Sequence, residues 1–488
     1  MTQTQFLLFL ISIIPFVNCL IIQICSDSPK LVNIANRAFP ILFLVNLIGI
    51  YGDAKHYNSY LVLVEATRGV SLGFALDQVA IGFLFLLGFF WLIFIFYSQR
   101  FLQLSGAKNI NNFKIFFTLI VGFVNLIIIS KNLLSILFFY NCLVLICHFF
   151  ALKFLHKKNT KFSHIFTSIL YLESIFLFLA IVATYKFTGQ IDFIDGGVIS
   201  EKLDSAKYAM LLILYLSGLF LSVLLPSYLL HRNANFDPPI IYSLFFLAYG
   251  LSSFYIFIKL LAFIFGFESF AIVVSDIGFA FFEWIFLVNI VIASVFLIKS
   301  NGLKSSFFYL FFQQFLFTLF LIITFAVFDK SAVSLALISF LFSFTLVFLS
   351  LSNFILYLSK AEGKGLDGLF YDLRITSILL IFGIVSLVGI APSLSGVTTF
   401  FLLKIIFKQK LFLTGIIFIV NFASLTFFAW KAIYPLFFKL EAPRSQADLE
   451  LAKNIDFDSN LILTGLVVGI AMFLSLILFP FVINFFSL

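Results

Sequence analysis

The chain has 488 residues, of which 62% are hydrophobic and 11% charged, with a formal net charge of +8. Soluble domains carry nearer a quarter charged residues, which excludes a large soluble protein and implies an integral membrane protein. The cations lie in short stretches between apolar runs, which argues against a nucleic-acid-binding surface.

In chain order, the first apolar run covers residues 5–25 and the second 38–51. The amino terminus lacks the basic start of a signal peptide and the arginine-rich pattern of a transit peptide, so the first run is read as a retained span. A polar stretch follows, in which "YLVLVEA" and "GVSLGFA" have the composition of a small hairpin outside the membrane. A third run, 78–97, precedes five at 113–130, 132–152, 163–186, 208–230 and 240–266. Five more lie at 276–298, 306–328, 332–358, 374–408 and 411–437. A charged linker, "KLEAPRSQADLELAKNIDFD", leads to the last run at 461–486. These make about 14 spans, each near the ~20 residues that cross a bilayer. They are continuous rather than alternating, so the fold class is an all-α polytopic membrane protein rather than a barrel. The division expected is 1–110 (three helices and the hairpin), 111–270 and 271–437 (two five-helix blocks), and 438–488 (linker and last helix).

Loop charge orients the chain. Residues 153–164, "KFLHKKNTKFSH", are basic, and the next loop, 187–207, is acidic. Loops 99–114 and 299–304 are also basic and fall on the side of 153–164, the side facing the negatively charged compartment; Lys408 and Lys410 run against the pattern. Cys19, Cys25, Cys142 and Cys147 lack metal-site spacing and read as small core residues. The 75 phenylalanines point to a T-rich coding genome of the kind organelles often have, and hence to the mitochondrial inner membrane.

The stretch "SLVGIAPSLSGVTTFFLLK", residues 386–404, carries Gly389, Pro392, Gly396, five hydroxyl residues and Lys404 inside an apolar run. Proline removes a backbone donor and glycine loosens a helix, so a broken helix is expected here. Pro226, in "LSVLLPSYLLHRNANFDPP", occupies the fourth span of the first block as Pro392 does that of the second. Broken helices 7 and 12 at matching places point to two inverted five-helix repeats of a transporter.

A charge in the hydrocarbon core costs roughly 2.5–3.5 kcal/mol on insertion scales, so buried ionisable residues are functional candidates. Four stand out as a proton relay: Lys404, Lys259 in "YIFIKLLAF", Glu173 in "LYLESIFLFLA" and Lys431 in "FFAWKAIYPLFF". For Lys404 snorkelling toward Lys408 is an equal alternative, and for Glu173 a paired structural carboxyl group. His148 reads as structural, Lys131 and Glu283 lie near span starts, and Gln313 and Gln314 are suited to bonds between helices. The absence of phosphate loops, nucleophile elbows, metal-protease motifs and haem-ligand histidine pairs leaves no redox centre or cofactor expected on this chain.

The order of these features resembles the antiporter-like membrane subunits of respiratory complex I, NADH:ubiquinone oxidoreductase, most closely the subunit 2 form and next the subunit 4 form. "GFALDQVAIGFLFLLGFFWLIFIFYSQRF" is similar to the family's third helix, with Asp77 at its entry and Tyr97-Ser98 at its exit. "YLESIFLFLAIVATYKFTGQIDF" is similar to the sixth, and "LPSYLLHRNANFDPP" has the proline spacing of the linker PFHxWxPDxxxxAP, with Pro226 and Pro239 at its ends. "GLFYDLRITSILLIFGIVSLVGIAPSLSGVTTF" resembles the subunit 2 pattern SLxGIPPxxGFxxK, and "NFASLTFFAWKAIYPLFF" the thirteenth helix, with Lys431 at its basic position. The likeness covers roughly residues 70–440 and no single motif is intact.

The departures fall on the family's proton-carrying residues. Its helix-five glutamate aligns with Tyr140 or Asn141 and its helix-seven lysine with Leu221. Its helix-eight lysine falls near Ser252, two turns before Lys259, and its helix-twelve lysine on Thr399 or Phe400, about a turn before Lys404. The resemblance implies a membrane-arm subunit without its own cofactor, the FMN, iron–sulfur clusters and ubiquinone belonging to other subunits. It also implies other membrane-arm subunits and lipids such as cardiolipin as partners. Three functions stay open at this point: proton translocation by a remodelled relay, a purely structural subunit, and an independent cation/proton antiporter.

Overall fold

The computed structural model describes residues 3–54, 60–67, 70–107, 110–150, 153, 160–199, 203–224, 246–300, 302–361, 367–438 and 446–477. Helices α1 (Gln3–Ile24) and α2 (Pro29–Ala54) lead to strands β1 (Tyr60–Thr67) and β2 (Val70–Ala75). Helices α3 (Gln78–Leu104), α4 (Ile110–Ile128), α5 (Leu133–Phe150), α6 (Thr160–Thr188) and α7 (Ser205–Leu224) follow. The core of α8 is Ser252–Leu260, flanked by wider, π-helical turns at Phe246–Leu251 and Leu261–Phe265. Next come α9 (Phe267–Ile277), α10 (Phe279–Lys299), α11 (Leu303–Phe328) and α12 (Val333–Leu358). The chain continues through α13 (Arg374–Val388), α14 (Leu394–Gln409), α15 (Phe412–Phe438), α16 (Gln446–Asp456) and α17 (Ser459–Ile477).

Twelve of these helices are each long and apolar enough to cross a membrane, making the chain an all-α, multi-pass membrane protein. The two remaining apolar runs of the sequence fall on α8 and on the two-part α13–α14. The expected hairpin is present: β1 and β2 pair antiparallel, with Tyr60 opposite Ala75. Phe74 also pairs with Ser130 after α4, which fixes the hairpin to one end of the bundle.

Two elements depart from the expected layout. Between the runs at 240–266 and 276–298 the chain forms α9, bent 89° from α8. Gly266, at φ 70°, turns this corner, and a side chain there would collide with the Gly196 carbonyl. The charged linker contains α16 rather than being wholly irregular, for the reason given below. The expected break at Pro226 lies outside the described residues.

Contacts between helix ends show which loops share a face. Arg100 pairs with Asp458, and the adjacent Asp456 binds Thr376 at the start of α13; just before α13, Gly368 N donates to the Pro435 carbonyl of α15, whose Lys431 reaches Ser300, so loops 99–114 and 299–304 lie at the same, basic end. At the other end Leu133 N donates to the Ile191 carbonyl (3.1 Å) and Val198 N to the Ile264 carbonyl (2.9 Å). That end carries the acidic loop after α6.

The core of the bundle is α3, α11 and α12; in α12 every residue from Val333 to Tyr357 is buried. A helix apolar all round is stable only when surrounded, and in lipid the gain comes from close packing rather than from leaving water. Phenylalanine provides it here: Phe254 stacks on Phe315 at 4.5 Å between centroids, and Phe311 and Phe344 lie 5.1 Å apart. Such ring pairs contribute about 0.5–1.5 kcal/mol each beyond simple contact area.

Candidate functional site

Helices α6 and α7 run antiparallel and come into close contact where Gly218 faces Leu177; a Cβ on Gly218 would lie 2.7 Å from the Leu177 nitrogen. One turn back on α6 is Glu173, and one turn forward on α7 is Ser222. The close approach therefore brings these two together across the interface. Glu173, fully buried, accepts the Ser222 backbone N–H at 2.8 Å and faces the Tyr140 hydroxyl on α5 at 3.4 Å. The neighbouring Ser174 hydroxyl donates to Asn141.

Tyr140, Asn141 and Leu221 are the positions that align with the glutamate and lysine of the resembled family. Neither residue is present, yet the space between α5 and α7 contains a carboxyl group supplied by α6. Local sequence could not show this: Glu173 is 33 residues from Tyr140 and 49 from Ser222.

Lys259 is buried on α8, and its Nζ lies 2.6 Å from Asp77 Oδ2 and 3.0 Å from the Tyr255 hydroxyl. Asp77 is also the N-cap of α3, its Oδ1 accepting Ala80 N–H at 2.8 Å. A carboxylate at a helix N-terminus is favoured by the exposed amides and the helix dipole. The sequence marked Lys259 as a candidate and Asp77 only as the start of a helix; their 182-residue separation hid the pair.

Lys431, on α15, reaches across to the carboxyl-terminal end of α10. Its ammonium donates to the Ser300 carbonyl and approaches the Ser300 and Ser306 hydroxyls at 3.4 Å. The final carbonyls of a helix lack partners within it, and a cation there completes them. Lys404 lies on the exposed face of α14 with Phe400 and Phe407. Among the described residues, no hydrogen bond or ion pair joins any two of Glu173, Lys259, Lys404 and Lys431. Glu173, Lys259 and Lys431 each have partners of their own at different places in the bundle.

The break at residues 389–393 follows from its composition. Gly389, at φ 82°, ends α13, with Ile390 N–H donating to the Val385 carbonyl and Gly389 N–H to Ser386. Ala391–Pro392 is cis, and Ser393 caps α14 by accepting Gly396 N–H at 3.0 Å. A Cβ at Gly396 would lie 2.9 Å from Ala391 N, so glycine allows the return of the chain. The hydroxyls form a cluster: Ser343 of α12 bonds Ser386 at 2.6 Å, Ser386 bonds Ser395 at 3.2 Å, and Ser395 bonds Ser393 at 3.0 Å.

Nearby in the second block, Gln313 and Gln314 on α11 donate to Asn421 on α15 at 3.1 and 3.2 Å, and Gln313 also to Ser424. These are the interhelical bonds expected of the two glutamines. Glu283, at the start of α10, accepts from Thr414 at the start of α15.

Composition did not reveal the role of the linker acids. Asp456, 1% exposed, accepts Ile375 N–H, Thr376 N–H and the Thr376 hydroxyl at 2.9–3.0 Å, closing the open start of α13. Asp458 begins α17, accepting Asn460 N–H at 3.0 Å, and pairs with Arg100 on α3. These anchors explain why α16 forms inside a charged linker: its carboxyl-terminal end is fixed to the bundle.

No family model matches the chain, and no curated protein sequence matches it. Solved structures do. The chain is similar to one in the Mrp complex from Dietzia sp. DQ12-45-1b, with a TM-score of 0.75 at 14% identity, covering 99% of this chain and 96% of that one. It is similar to a chain of the membrane-bound sulfane sulfur reductase, an archaeal respiratory membrane complex (TM-score 0.72, 12% identity, 98% and 96% covered). A chain of respiratory complex I from Thermus thermophilus with bound aureothin gives a TM-score of 0.66 at 13% identity, with 96% and 98% covered. At these identities the fold is what is shared: the chain has the fold of membrane subunits of these complexes, as the resemblance to antiporter-like complex I subunits implies.

Proposed function

We propose that this chain is a membrane-arm subunit of a multi-subunit cation-translocating complex, and that the complex is the proton-translocating NADH:ubiquinone oxidoreductase of the mitochondrial inner membrane. The observation that carries the translocating role is Glu173: an acid–base group placed between α5 and α7, beside the positions where the resembled family has its own. A buried carboxyl group in a membrane is costly to maintain and can pass a proton between water-filled segments. The Lys259–Asp77 pair adds a second acid–base group in the same block. Fold similarity to the complex I chain supports the respiratory assignment, and the resemblance to subunit 2 is its finer basis. In this reading electron transfer takes place in other subunits, against which the outer helix faces pack.

A structural role is the second reading, favoured by one observation: the interior of the second block is joined by amides and hydroxyls, which do not titrate near neutral pH. Both readings are tested with Glu173→Gln in the intact complex in sealed membranes. The expected outcome is loss of most proton movement per turnover with assembly retained; unchanged stoichiometry supports the structural role. Purification of the native assembly followed by mass spectrometry tests the complex itself. NADH-oxidising partners support the respiratory reading, and a lone chain supports an independent antiporter.

A further inference from the structure

The pair Lys259–Asp77 is asymmetric with respect to water. The lysine side chain is 1% exposed and the aspartate 27%, so the carboxylate touches solution and the ammonium does not. Lysine and Tyr255 are four residues apart on α8 and share a face of the helix. The tyrosine hydroxyl donates to the Ile128 carbonyl at 2.5 Å, leaving its oxygen to accept from Lys259 at 3.0 Å. That direction is closed to proton release, because the hydroxyl proton is already committed to backbone. The other contacts of the ammonium are rings: Phe193 at 4.6 Å and Phe263 at 5.7 Å from their centroids. Aromatic faces hold a cation and exclude water from it. Among the described residues, Asp77 is thus the acid–base group that joins this lysine to solution.

The location is the acidic end of the bundle. Phe193 belongs to the loop after α6, which also carries Asp192, Asp195 and Asp204. That loop is fixed at both sides, by Ile191 to the start of α5 and by Val198 to the end of α8. Next to Phe193, Asp192 has a buried Oδ1 with no hydrogen-bond partner among the described residues. The end of the bundle at which Asp77 lies therefore carries further carboxylates on the loop after α6, with Lys131 over the Tyr60 ring of the hairpin.

We propose that Asp77 is the proton port of the first block, exchanging protons between Lys259 and solution at the acidic end, with Phe193 as its cover. The step balances without another reactant than water. The Lys259 N–H bond breaks and an Asp77 O–H bond forms, giving neutral amine and neutral acid. Asp77 then gives this proton to water, and the amine regains one carried through the membrane interior by bound water. The inference rests on the proton-translocating reading above, but its first test does not.

That test is cysteine accessibility in the intact complex, with the four native cysteines replaced by serine and a membrane-impermeant maleimide applied to either face. Asp77→Cys is expected to react from the acidic end only, and Lys259→Cys to react at least about tenfold faster when Phe193→Ala is added. Labelling of Asp77→Cys from the basic end, from neither end, or equal labelling of Lys259→Cys with Phe193 in place, overturns the port. The second test is Asp77→Asn, which retains an N-cap for α3. Proton movement per turnover is expected to fall by about a hundredfold, the lower end of the range for loss of an acid–base group, and Asp77→Glu to restore it. If Glu173→Gln stops proton movement and Asp77→Asn leaves it intact, the port is wrong and the translocating reading stands. If neither variant alters it, the translocating reading itself fails; the labelling pattern then still decides whether Asp77 opens Lys259 to solution.

Discussion

The two five-helix blocks solve the same packing problem with different chemistry. In the first, ionisable groups are buried among the hydroxyls and amides: Glu173 between α5, α6 and α7, and Lys259 paired with Asp77. In the second, the interior is joined by Gln313, Gln314, Asn421 and Ser424, and by the serine cluster at the helix break. Among its described ionisable groups, Glu283 lies beside Thr414 at the start of α10, Lys431 of α15 reaches the last carbonyls of α10, and Lys404 lies on the outer face of α14. Amides and hydroxyls satisfy one another without net charge, whereas a carboxyl group or lysine in hydrocarbon requires a partner or a function. The difference teaches that a helix break and a proton-handling group are separable. The broken helix of the second block is intact as architecture, while the acid–base groups of the interior belong to the first.

The largest effect is expected from Glu173→Gln. Glutamine retains the shape and an oxygen for Ser222 N–H, so thermal stability changes little, while proton movement per turnover falls by about a hundredfold or more. Retention of full proton movement would remove the functional side of the comparison. Gly218→Ala sharpens it by geometry: the added methyl meets Leu177 backbone, which cannot rotate away. It is expected to destabilise the protein by about 1–3 kcal/mol, seen as a lower unfolding temperature, and to reduce proton movement by separating Glu173 from Ser222. Asp456→Ala, at the start of α13, leaves buried donors unpaired and is expected to cost a similar ~1–3 kcal/mol. Proton movement in the molecules that remain folded should be unchanged.

A double change, Gln313→Leu with Asn421→Leu, tests the neutral block. Interhelical polar bonds in membranes contribute about 0.6–2 kcal/mol, so a modest loss of stability with near-normal proton movement is expected. A loss as large as that of Glu173→Gln would show that the second block carries protons through its amides, and would break the comparison. The smallest effect is expected from Lys404→Gln on the exposed face of α14, where proton movement per turnover should match that of the unaltered complex within about twofold, far from the loss of an acid–base group.

Much of the fold was legible because its signals are local. Apolar run length marked the spans, "YLVLVEA" and "GVSLGFA" marked the hairpin, and Gly389, Pro392, Ser393 and Gly396 marked the break within a few residues of one another. The short helix α9 was not legible, since nearly all of its residues fall between two apolar runs, and the turn depends on Gly266 meeting Gly196. The site was half legible. Glu173 and Lys259 stood out because charge in an apolar run is rare, whereas Tyr140, Ser222 and Asp77 are ordinary residues until helices bring them into contact. Lys404 and Lys431 carry the same sequence signal as Lys259. One lies on an outer face and the other binds the end of a neighbouring helix, which apolar context alone does not distinguish.

Sequence by itself determined that the chain resides in a membrane, how it is cut into helices, and where one of them breaks. Each of these follows from the free energy of a residue in lipid or from backbone conformations that glycine and proline allow or forbid. Only the tertiary structure decided which buried charges share a site. In a bundle of long helices, a side chain meets its partner through helix register and crossing distance, and those are set by close contacts such as Gly218 on Leu177, far apart in the chain. That contact gives the first block its carboxyl group from α6, although the positions on α5 and α7 carry neither glutamate nor lysine.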